Sequence, residues 1–166
     1  DLSIVSVSGA AAVIGSDHVA HTDTLTMATM DGPAATELAG RLDSRLSPTN
    51  PLDVPFLGET ATFAESIDAY ASSGVGEVVI AIESGLAHDR AELSAKLVAS
   101  RAKASIVLTS LSEDDQIPSD VVGALADAGI AYLPTIERAV DAVAACAAAG
   151  PTGTAAPAAV TDPPTE

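Results

Sequence analysis

The stretch Glu77-Val78-Val79-Ile80-Ala81-Ile82 narrows the fold more than any other part of the chain. It is an almost unbroken, β-branched apolar run. A strand with one solvated face would alternate apolar and polar residues. An unbroken run instead reads as a central strand buried on both faces, as in a parallel sheet covered by helices on each side. Three further runs have strand character, at residues 2–7, 104–109 and 130–133, and a weaker one lies at 24–28.

Helical patterns fill the intervals, over residues 10–20, 33–45, 60–73, 88–102, 118–128 and 135–148. Pro33 and Pro118 suit a first helical turn. Phe63, Ile67 and Tyr70 stand at spacings of four and three and share one helical face. Ser72-Ser73-Gly74 closes that pattern as a C-cap. Leu93, Leu97 and Val98 are read as the inward face of 88–102. Thr135 is a good N-cap for the last helix. Strand and helix in alternation mean right-handed βαβ units. Five strands with about as many helices predict an α/β, three-layer flavodoxin-like sandwich with a mostly parallel five-stranded sheet. Ligands bind beyond the C-terminal strand ends in such a sheet. The turns Ser8-Gly9, Glu83-Ser84-Gly85 and Ser110-Leu111-Ser112 therefore belong to the functional rim.

Residues 1–149 read as one domain. Residues 150–166, GPTGTAAPAAVTDPPTE, lose all periodicity and read as a Pro/Ala/Thr-rich disordered tail or interdomain linker. The chain opens on Asp1, directly before a strand, which reads as a piece of a longer protein.

Charge excludes whole classes of partner. There are 23 acidic residues against 7 basic ones, a net charge of −16. Such a surface repels nucleic acid and anionic membranes. Aromatic residues are 2% of the chain and Trp is absent, so neither a base-stacking platform nor a flavin sandwich is expected. No apolar run approaches the roughly 18 residues of a membrane span, and no signal peptide is recognisable. The expected compartment is the cytoplasm. Cys146 is the one cysteine, so no internal disulfide can form, and it is read as a small packing residue.

Two short motifs carry candidate chemistry. Ser8-Gly9 stands between a strand and a helix whose first residues are Ala10, Ala11 and Ala12. A helix N-terminus offers free N–H groups and the positive end of the dipole to an anion. Ser8, Gly9, Ala10 and Ala11 are thus the candidate phosphate-facing loop. The competing reading is an ordinary strand-to-helix turn. The second motif is Asn50-Pro51-Leu52-Asp53, stiffened by proline; Asn50, Pro51 and Asp53 are read first as an ordered structural or interface loop. His18 and His21 share a helical face, but two histidines make a poor metal site. His88 reads as a surface residue, and Glu113-Asp114-Asp115 as a solvated charge run. No metal ligands and no catalytic residues are assigned.

The order of these pieces resembles the flavodoxin-like ligase domain of the NDP-forming (ADP-forming) acyl-CoA synthetases, in the succinyl-CoA synthetase-like superfamily. The resemblance rests on Ile4-Val5-Ser6-Val7-Ser8-Gly9, then Asp17, then Asn50-Pro51-Leu52-Asp53. Residues 78–82 and 104–108 follow, and AGIAYLPTIERAVDAVAA from Ala128 to Ala145 closes the domain. It implies part of an acid-CoA ligase that works through an acyl phosphate and a phosphohistidine. This domain would lend the helix N-terminus after Gly9 to the phosphohistidine site and an interface to its partners. Those partners would be CoA-binding and ATP-grasp domains or subunits. ATP or ADP, phosphate, CoA and Mg would serve the full enzyme, with none bound by this domain alone. Where the family has a glycine-rich turn, this chain has Gly9-Ala10-Ala11-Ala12. His21-Thr22-Asp23-Thr24 only faintly echoes the family's phosphorylated histidine. The isolated chain is not expected to be active. The alternative is a degenerate, non-catalytic scaffold or regulatory domain, such as one fused to an acetyltransferase. A receiver-like domain is disfavoured, because Ser6, Ser8 and Glu83 do not supply its acidic cluster.

Overall fold

A computed structural model describes residues 1–55, 59–84, 89–99, 103–111 and 117–150. Among these residues the chain forms five strands and six helices. The strands are β1 (Leu2–Ser6), β2 (Leu52–Asp53), β3 (Val78–Glu83), β4 (Ser105–Ser110) and β5 (Ala131–Leu133). The helices are α1 (Gly9–Ala20), α2 (Gly32–Arg41), α3 (Thr60–Ser73), α4 (Arg90–Ala99), α5 (Ser119–Asp127) and α6 (Ile136–Ala149). All strand pairs are parallel, in the order β2-β1-β3-β4-β5. This is the flavodoxin-like order.

The sheet is buried on both faces, as the run at 77–82 predicts. Val79, Ala81 and Leu108 point to one side and pack with Phe63, Ile67, Tyr70, Leu93 and Leu97. Ile80, Ile82 and Val107 point to the other and pack with Ala11, Val19, Ile136 and Val140. The alternation of side chains along a strand sends neighbouring residues into these two cores. α1 comes very close to the sheet at Gly15. A Cβ there would stand 3.1 Å from Ile4 Cδ1 and 3.4 Å from Ile136 Cγ2.

The second strand is not at 24–28. That segment makes one isolated bridge, Leu2 to Met27, with the Leu2 N–H donating to Thr26 O and the Ala28 N–H to Leu2 O. It covers only the first residue of β1. The edge of Val5 and Ser6 is taken by Leu52 and Asp53, followed by the Val54 N–H donating to Ser6 O at 2.8 Å. A single β-branched Val in the six residues Asn50–Pro55, which hold two prolines, carries little strand signal, so the sequence pattern passes over β2.

Helix ends move for local reasons. α4 starts after Asp89, whose side chain accepts the Glu92 N–H at 3.0 Å and whose carbonyl accepts Leu93 N–H. Asp89 is thus the cap, while residues 88 and 100–102 lie outside the described residues. α2 stops at Arg41 because Leu42 turns extended, with ψ 151°. Gly74 ends α3 in the left-handed region at φ 82°, as a C-cap glycine does. Val98 is corrected from inward to outward: it is 44% exposed while Leu93 and Leu97 are buried. A helix turns 100° per residue, so position 98 has already rotated off the face set by 93 and 97. Cys146 is also exposed rather than packed. The buried residues of α6 are Ile136, Ala139 and Val140, all in its first half.

Candidate functional site

The turn after β1 is built by two serines. Ser6, fully buried, uses one hydroxyl twice: it donates to Ser8 O at 2.9 Å and accepts the Ser8 N–H at 3.1 Å. This fixes Ser8 in an extended conformation, φ −141° and ψ 118°, as the N-cap of α1. Ser8 Oγ then accepts the Ala11 N–H at 3.4 Å, and Ser8 O accepts the Ala12 N–H at 2.9 Å. Two N–H groups of the first turn remain, those of Gly9 and Ala10. Among the described residues no hydrogen bond engages either. Ala10 is exposed, while Ala11 and Ala12 are buried against the core. No residue other than glycine has positive φ among the described residues, so the alanines stand here without backbone strain.

The two motifs meet at this point. A Cβ on Gly9 would lie 3.0 Å from Asp53 Oδ2 and 3.6 Å from Asp53 Cγ. The Asp53 carboxylate, itself exposed, therefore stands beside the first residue of α1. It lies where the helix dipole favours negative charge. The lack of a side chain at position 9 makes room for it.

Asn50 has a different task. Its Oδ1 accepts the Ile4 N–H at 3.0 Å, and its Nδ2 donates to Leu2 O and Ala28 O, each at 3.0 Å. The amide bridges the gap between the Leu2–Met27 contact and β2, replacing a missing piece of ladder on the β1 edge. The Asn50–Pro51 peptide is cis. Thr49 Oγ1 donates to Pro51 O at 3.0 Å, and the Tyr70 hydroxyl donates to Thr49 O. Burial pushes that hydroxyl above the ordinary tyrosine range. Asn50 and Pro51 thus hold the loop, and Asp53 reaches the α1 terminus.

A second cluster occupies the same end of the sheet, on the α3–α5 side. Glu83 is fully buried; its carboxylate accepts from Ser110 Oγ at 2.6 Å and pairs with Arg90 Nη2 at 3.3 Å. Ser110 Oγ is 3.1 Å from the Tyr132 hydroxyl. This cluster ties the ends of β3, β4 and β5 to the start of α4. The sequence places Glu83 and Ser110 on the rim, but their union with Arg90 and Tyr132 is a product of the fold. The signal that points to it is an acid closing an otherwise apolar strand. Ser84 is half-buried and Leu111 exposed, and Gly85 and Ser112 lie outside the described residues.

The histidines separate. His18 Nε2 meets Asp141 Oδ1 at 2.9 Å, tying α1 to α6, while His21 Nδ1 contacts Asp17 O at 2.6 Å. No group of three metal-ligating side chains forms among the described residues. His88 and Glu113-Asp114-Asp115 lie outside them. No helix of the described residues is long and apolar enough to cross a membrane.

Comparison with known proteins turns on shape. No family model and no curated protein matches the sequence. Among solved structures, PH0766 from Pyrococcus horikoshii OT3 is similar with a TM-score of 0.69 at 15% identity, over 87% of this chain and 34% of that one. The dinucleotide forming acetyl-coenzyme A synthetase 1 of Ca. Korarchaeum cryptofilum is similar in two structures. The apo form gives a TM-score of 0.63, and the complex with phosphate and ADP gives 0.64. Both are 17% identical over 87% of this chain and 32% of that one. The likeness is one of fold. The chain spans about a third of the length of these neighbours.

Proposed function

We propose that residues 1–149 form the flavodoxin-like ligase domain of an acid-CoA ligase of the ADP/NDP-forming acyl-CoA synthetase type. The observation that carries this reading is the α1 N-terminus, where no hydrogen bond among the described residues engages the N–H groups of Gly9 and Ala10. It occurs in a fold similar to that of an acetyl-coenzyme A synthetase solved with phosphate and ADP.

In this role the domain supplies electrostatics rather than a reacting group. The N–H groups of Gly9 and Ala10, with the positive end of α1 behind them, face the phosphoryl group of a histidine carried by a partner domain. Ser8 fixes their direction as the cap. Ala11 supports the turn from within, its N–H engaged by Ser8 Oγ. The residues present fit one anionic group at Gly9 and Ala10. CoA, Mg and ATP or ADP belong to the CoA-binding and ATP-grasp partners and supply acyl acceptance and phosphoryl transfer there. The outer face of α1 suits such a partner: Val13 is 57% and Ile14 50% exposed, beside exposed Ala10. Exposed apolar side chains on one helix face mark an interaction surface.

One observation favours the scaffold or regulatory reading instead. Asp53 already brings a carboxylate to the α1 terminus, and like charge opposes a phosphoryl group there. Titration of the chain with inorganic phosphate at fixed ionic strength, followed by amide NMR, separates the two readings. Saturable shifts confined to Gly9, Ala10 and their neighbours support the ligase role. Diffuse shifts, or none, support the scaffold.

A further inference from the structure

We draw no further inference here: the strongest candidate, the apolar cleft of about 700 Å³ between α6 and residues 24–25 at the N-terminal strand ends, lined by Leu2, Val78, Val107, Leu133, Val143 and Cys146, carries nothing because nothing in the structure shows what covers it.

Discussion

Replacing Asn50 by Ala tests whether its side chain is part of the sheet. The wild-type amide makes three hydrogen bonds at 3.0 Å. In Asn50→Ala the Ile4 N–H loses its acceptor, and Ile4 is fully buried. An unsatisfied buried donor costs about 1–3 kcal/mol. Leu2 O keeps a partner, because it also accepts the Ala28 N–H at 2.8 Å. Ala28 O loses its Asn50 donor, which adds about 0.5–1.5 kcal/mol. The sum is about 1.5–4.5 kcal/mol. At about 2–4 °C per kcal/mol for a domain of this size, the melting temperature falls by roughly 3–18 °C. Urea unfolding measures the loss directly, with the slope against denaturant unchanged. Asn50→Asp keeps an acceptor for Ile4 but sets a carboxylate against two carbonyls, and is expected to be at least as damaging. A loss below about 0.5 kcal/mol for the Ala variant, the level of an ordinary surface change, would refute the bridging role.

Three further perturbations follow from the packing and the charges. Gly15→Ala places a methyl 3.1 Å from Ile4 Cδ1 and 3.4 Å from Ile136 Cγ2. Crowding of about 1–3 kcal/mol outweighs a helix-propensity gain of about 1 kcal/mol, so urea unfolding is expected to show a net loss. Glu83→Ala removes the buried carboxylate that accepts from Ser110 Oγ and pairs with Arg90 Nη2, and costs about 1–3 kcal/mol by the same assay. Arg45 hydrogen-bonds both Asp43 and Glu59, holding Asp43 down to about 2 and Glu59 below its ordinary range. Depressed carboxylate pKa values stabilise the fold above their unfolded values and lose that effect as pH falls through the folded ones. The stability difference between wild type and Arg45→Ala is therefore present at pH 5 and shrinks as pH falls toward 2. Arg45 and Glu59 are exposed and Asp43 is half-buried at the surface, so the effect is small and weakens further in high salt.

Much of the architecture is legible in the residues. The apolar run at 77–82 places a doubly buried central strand, and Phe63, Ile67 and Tyr70 all turn inward together, as their spacing requires. Thr135 caps α6 by accepting the Arg138 N–H at 3.3 Å. What escapes sequence reading is what depends on distant neighbours. β2 is two residues long and exists because β1 offers an edge at Val5 and Ser6, not because Leu52 and Asp53 favour strand. Residues 24–28 have apolar Leu25 and Met27 in alternation, yet Asn50 and β2 hold the remainder of that edge. Val98 and Cys146 show the limit of reading an apolar residue as a buried one; both lie in helix turns that rotate or run past the sheet. At the site, Ser8 and Gly9 are visible as a strand-to-helix turn. The approach of Asp53 to Gly9 joins positions 44 residues apart in sequence and appears only once β2 lies beside β1. The Glu83–Ser110 contact likewise needs the β3–β4 register.

The most direct test of the account compares inorganic phosphate titrations of the wild type and Asp53→Asn by amide NMR at matched ionic strength. If the α1 terminus is an anion site, both proteins show saturable shifts at Gly9 and Ala10. The variant, relieved of a neighbouring negative charge, binds more tightly. Equal, diffuse and unsaturable shifts in both would contradict the phosphate-facing role of this turn.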